Sequence, residues 1–422
     1  MSAQQQEQQQ QQHPPANPSL ETLPIELQRL ILSSAGSLDV LAAFVHASPQ
    51  LHATYSHDRE AILRKCLARA LKGILADAHA AHVSGARSFQ LARDEPMLWN
   101  FLEHYQQRRK EEEHVLVRRL SLDDLVQMSR FHTSVVEPLV DHYAAWALPV
   151  IPYASPACIS SPLSQTERRR IQRGIYRLQV HCNMCGSQGE GRSSPCFIQD
   201  PEEGTRVLAS FPGYETEEML CIHAFALDKY TSVFRQVAWD LNEIRNPEYK
   251  DVVMTAVNDD MILFPRSPGQ YHKLGWAAPP IPPSTDAEPD INRPSLNALL
   301  YQGPTLLSTV CSIEANHKKL VETVRTGILA GMTHRDRYSN DWLGMEVSQA
   351  AQEIRRDDPE LYNAYDEAYD NKVKTPFVFD SIDAPPRVWV VMWSGESCNL
   401  YGDWVPSYYR RWGYVMWDGW RI

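Results

Sequence analysis

Between Leu20 and about Leu148, apolar residues recur at intervals of three and four, interrupted by caps and prolines. That period places them on one face of successive helices and leaves little of this stretch for strands. Ser121-Leu-Asp-Asp124 reads as a capping-box start, followed by the stripe Leu122, Leu125, Val126 and Met128. Ser164-x-x-Glu167 opens a further helix with Ile171, Ile175 and Leu178 on one side. Thr216 to Leu241 repeats the form with Leu220, Ala224, Leu227, Tyr230, Val233 and Val237. Ser295 is expected to cap another helix, and Pro304 to begin one. A period of two appears only near the end, where the β-branched and aromatic run Arg387 to Trp393 predicts a strand. The expected class is mainly α: a multi-helix chain with a small Trp-rich β element at its C-terminal end.

Composition divides this chain of 422 residues. Residues 1–19 hold eight glutamines and three prolines and no material for a core, which predicts a disordered tail. Residues 20–63 form a short helical motif, and 64–276 a helical domain with a Pro/Ser-rich break at 149–162. Six prolines in the 18 residues of 277–294 predict a linker before a last segment, 295–422. No internal repeat of fixed period is present. A net charge of −11 argues against nucleic acid as a partner. The basic run Arg168-Arg169-Arg170 reads as a solvated helix face. No window offers the ~18 uninterrupted apolar residues of a membrane span, and the first 19 residues lack the apolar core of a secretory signal. Eight scattered cysteines suit buried free thiols and a cytoplasmic or nuclear chain.

The motif at 20–63 has internal logic. In Leu23-Pro24-Ile25-Glu26-Leu27 the proline opens a helix, where its missing N–H costs nothing, and the carboxylate sits in the first turn. Leu27, Leu30 and Ile31 share a face. Gly36 is expected to end this helix in the left-handed geometry of a C-cap, and Ser37 to cap a second helix with Leu38, Leu41, Phe44 and Val45. Pro49 interrupts, and Leu51 to Leu63 continues as a third piece. Three helices in so short a run must cover their apolar faces with something else, since units below about 40 residues seldom stand alone.

These residues resemble an F-box. The resemblance implies docking onto the Skp-type adaptor subunit of an SCF-type cullin–RING ubiquitin ligase, with the rest of the chain recruiting a protein substrate. On that basis Leu23, Pro24, Leu27, Ile31, Leu38 and Leu41 would be adaptor contacts. Ala47-Ser48-Pro49-Gln50-Leu51 stands where F-boxes often carry a Cys-x-x-Trp-like element. The runs Tyr176 to Asn183 and Arg410 to Asp418 also resemble a group of filamentous-fungal F-box-like proteins of unknown activity. The alternative is an ordinary capped helix pair, absorbed into its own domain in a scaffold protein.

Little else points to chemistry, and no catalytic residue, cofactor or metal is expected. Cys182-x-x-Cys185 has the spacing of half a zinc site, with His181, Cys196, Cys221 and His223 as further ligands in principle. Cys221 and His223, two apart on a helix, would point to different sides, which favours structural thiols. The glycines at 186, 189 and 191 lack the Lys-Ser/Thr of a phosphate loop. Asp123-Asp124, Asp259-Asp260 and Asp357-Asp358 read as caps or turns. Six of the 11 tryptophans lie between Trp389 and Trp420, and they either build a compact core or line a recognition surface.

Overall fold

The computed structural model describes residues 20–92, 94–152, 154–185, 211–237, 240, 300, 302–324, 377, 379–392, 405 and 407–422. The expected tail at 1–19, the linker at 277–294 and the cap at Ser295 lie outside them. The chain is mainly helical, with no strand among the described residues. It divides into two compact units, one of residues up to 72 together with 112–129, the other of 73–111 together with 130 onwards.

In the first unit, the short 3-10 turn Leu20–Thr22 leads into α1 (Ile25–Ser33), α2 (Leu38–Ala47), α3 (Pro49–His57) and α4 (Arg59–Ala70). The unit also holds α8 (Glu113–Arg119) and most of α9 (Leu122–Phe131). Ser37 caps α2 through its Oγ, which accepts from Val40 N at 3.2 Å. Ser48 does the same for α3, where Pro49 takes the first turn. Thus the proline starts a helix here, and the expected piece 51–63 is divided at Asp58 between α3 and α4. Gly36 is not the left-handed stop: α1 ends at Ser33, and positive φ occurs at other glycines. Arg69 of α4 satisfies the carbonyls of Ser33 and Ala35 instead, at 3.0 and 2.6 Å, doing the work of a C-cap from a neighbouring helix. α1 packs on α3 and α4, and α2 on the same pair. Leu32, Leu38, Leu41, Leu51, Ile62 and Leu67 form the core between them. The capping box at Ser121 forms as expected, Asp124 N donating to Ser121 Oγ and Ser121 N to Asp124 Oδ2.

The second unit is organised around α12 (Gln165–Cys185) and α13 (Gly213–Val237). Ser164 and Glu167 close the other expected capping box at 3.1 and 2.9 Å. α12 and α13 cross at Gly174, where a Cβ would stand 2.9 Å from both the Glu218 carbonyl oxygen and Ile222 Cγ1. Only glycine permits this approach of the two backbones. Around them lie α5 (Leu75–Gly85), α6 (Arg87–Ala92), α7 (Glu95–Arg109), α10 (Glu137–Ala147), α11 (Pro156–Ser160), α14 (Gly303–Ile313) and α15 (His317–Thr323). Pro304 sits in the first turn of α14, as its sequence predicts.

Near the C-terminal end, α16 (Arg387–Met392) and α17 (Ser407–Arg411) are helical. The strand expected over Arg387 to Trp393 is therefore a correction as far as Met392; Trp393 lies outside the described residues. The helix buries one residue, Trp389, against the rings of Tyr214 and Tyr414, each with centroids 6.5 Å away, and leaves Val391 exposed. A strand's alternation has no second face to serve there. Trp389, Trp412 and Trp417 are core residues, whereas Trp420 is half exposed beneath the Arg421 guanidinium, 4.5 Å from its ring.

Candidate docking face and the buried charge ladder

α1 carries five apolar residues among its nine, so what matters is which side it buries. Gln28 and Leu32 face inward with Ser33. Leu27 and Leu30 remain 45% and 61% exposed, Ile31 is half-buried, and Pro24 and Ile25 are exposed. Spacings of three and four residues align Pro24, Leu27, Leu30 and Ile31 in one stripe, flanked by Glu26 and by Arg29, which pairs with Asp58. Leu23 is half-buried where the chain enters the helix. Leu38 and Leu41 behave differently: at 6% and 4% exposure they belong to the core of the first unit. Four of the six residues expected as contacts thus lie at the surface or partly so, and two do not. Leu30 and Val40, both exposed, were not on the expected set.

The inward Gln28 is 1% exposed yet fully engaged. Its Nε2 reaches the carbonyls of Leu20, Glu21 and Leu23 at 3.4, 3.2 and 3.1 Å. Its Oε1 accepts from Thr54 Oγ1 of α3 at 2.6 Å. Glu21 is tied a second time, accepting from Ser48 Oγ at 2.6 Å.

The second unit contains a feature absent from the sequence-based expectation. Arg170, Arg173 and Arg177 line one face of α12 and are all buried, so the reading of the Arg168–Arg170 run as a solvated face fails at Arg170. Arg173 forms a bidentate pair with Glu218 at 2.7 Å on both bonds. Arg177 bridges Asp77 of α5 and Glu215 of α13, each at 2.7 Å, and Arg109 adds a second guanidinium to Glu215 at 2.6 Å. Tyr105 donates to Asp77 at 2.5 Å. Arg170 meets Asp418 at 3.1 Å. Arg421 and Arg410 clamp Glu167 and Glu217 in bidentate pairs of 2.7–2.9 Å. Each charge has an opposite partner, which is what a buried ion requires.

Burial raises the Glu215 carboxyl, but Arg177, Arg173 and Arg109 outweigh it and hold it down to about 2, against an ordinary 4.5. A depressed carboxyl contributes stability that is complete above its unfolded value and lost as pH falls through its folded one. Burial shifts Glu218 upward, opposite to Glu215, so it does not contribute to this acid limb. We therefore expect the second unit to lose stability between about pH 4.5 and 2. Glu215→Gln should flatten this limb in urea titrations followed by tryptophan fluorescence; an equally steep limb in the variant would refute the assignment.

The described members of the cysteine and histidine set do not assemble. Cys182 donates to the Leu300 carbonyl at 3.2 Å, and Cys221, His181 and His223 are buried within the helices. Among the described residues no three Cys, His, Asp or Glu side chains converge as metal ligands. The Cys185 side chain, Cys196 and the glycines at 186–191 lie outside the described set. Among the described residues, too, no helix is long and apolar enough to cross a membrane. No protein-family model, no curated protein and no solved structure matches the chain.

Proposed function

We propose that residues 20–63 dock this chain onto a Skp-type adaptor of a cullin–RING ubiquitin ligase, and that the second unit recruits a protein substrate for it. The observation that carries the proposal is the outward stripe of α1. Leu27 and Leu30 keep about half or more of their surface in water, although the same helix buries a glutamine. Contiguous exposed leucines beside a proline-opened turn suit a protein interface better than a monomer surface. The role places the chain in the cytoplasm or nucleus, and it needs no catalytic residue or cofactor of the chain's own.

A second reading is favoured by Leu38 and Leu41, which pack inside their own unit as a helical scaffold protein with a vestigial F-box would have them. Co-purification with a Skp-type adaptor separates the two. Leu27→Asp with Leu30→Asp changes only exposed positions, so the fold should hold to within about 1 kcal/mol. Adaptor binding should fall by about a hundredfold, the scale of two hot-spot leucines. Wild-type protein that retains no adaptor would leave the scaffold reading standing.

A further inference from the structure

We infer that Gln28 is the positioning residue of the α1 face: it clamps the turn Leu20–Leu23 onto α1 and α3, and so fixes where Leu23 and Pro24 stand beside Leu27. The inference rests on the docking role proposed above.

An amide side chain in the core is unfavourable unless its hydrogen bonds are met, and a methionine would fill a similar volume without that demand. Packing therefore does not account for a glutamine at this position. Its bonds do. The two Nε2 hydrogens face three carbonyls, all from the four residues before Pro24. On the other side Thr54 Oγ1 holds the Oε1 in place, so the amide cannot rotate away. Thr54 is itself 1% exposed and belongs to α3. The Ser48–Glu21 bond fixes the same turn from the α2–α3 junction. One buried amide thus connects the entry turn, the exposed helix and the helix beneath it.

The test uses the full chain with Gln28→Met, and Thr54→Val as a milder change that removes only the hydroxyl. Hydrogen exchange is read at the amides of Glu21 to Leu23, and adaptor affinity is measured in parallel. Exchange at those amides should quicken by about tenfold, the loss expected for a net hydrogen bond or so, while α2 and α4 keep their protection. Adaptor affinity should weaken by about five- to tenfold, with Thr54→Val moving both readouts the same way by less. Unchanged exchange at 21–23 would overturn the clamp. Faster exchange with unaltered affinity would overturn its positioning role, and lost protection throughout α2 and α4 would make Gln28 a general core residue. Should wild-type protein bind no adaptor, the docking role falls, while the exchange result still decides the clamp.

Discussion

Arg177→Met is expected to lower the stability of the second unit by about 3–5 kcal/mol, the usual result of removing one partner from a buried ion pair. The arginine is fully buried and serves two carboxylates at once, Asp77 on α5 and Glu215 on α13. Its guanidinium also lies 4.5 Å from the Phe211 ring centroid. Glu215 keeps Arg109 and Arg173 after the change, but Asp77 is left with the Tyr105 hydroxyl alone among the bonds described above. Asp77→Leu in the same chain should therefore restore part of the loss, because it removes the stranded charge. Thermal melts followed by tryptophan fluorescence measure this cleanly, since all 11 tryptophans lie outside the first unit. A variant that melts with wild type would show that the ladder is not a structural element of α12.

Gly413→Ala should be nearly as damaging, for two separable reasons. Its φ is +66°, where an alanine costs about 1 kcal/mol or more. A Cβ there would also stand 2.3 Å from Tyr143 Oη and 3.3 Å from Met416 Cγ. Tyr143 has no room to move: it is fully buried among Trp146, Phe225 and Trp417, with ring centroids 5.6–6.2 Å away. Overpacking of this kind adds about 1–3 kcal/mol. Tyr143→Phe removes the clashing oxygen, so the double variant should recover the overpacking part and keep the backbone part. Equal losses in the single and double variants would place the whole cost in the backbone.

The two kinds of residue explain what was legible in advance. Caps act over three or four residues, and Ser37, Ser121 with Asp124, and Ser164 with Glu167 could all be read from their own segments. The helical class followed from the same local periodicity. The charge ladder was not legible, because Arg177 and Asp77 are 100 residues apart and Arg421 and Glu167 are 254. Nothing near Arg170 in sequence announces its pairing with Asp418. The strand expected at Arg387 failed for a related reason: the aromatic surroundings of Trp389, from Tyr214 and Tyr414, override the β preference of the valines beside it. Within α1 the periodicity was ambiguous by construction. Ile25, Leu27, Leu30, Ile31 and Leu32 cover more than half of the helix, and of the polar residues among them, Glu26, Gln28 and Arg29, it is Gln28 that turns inward. A glutamine in an apolar run is ordinarily placed on the water side; its partners, the carbonyls of a turn and a threonine 26 residues on, become visible only in three dimensions.

Hydrogen exchange of the full chain, with and without a purified Skp-type adaptor, tests the docking role most directly. Protection gained across Leu23 to Ile31, with exchange through α12 and α13 unchanged, is the predicted result. Adaptor that leaves those residues as accessible as before, or protects other parts of the chain instead, would contradict it.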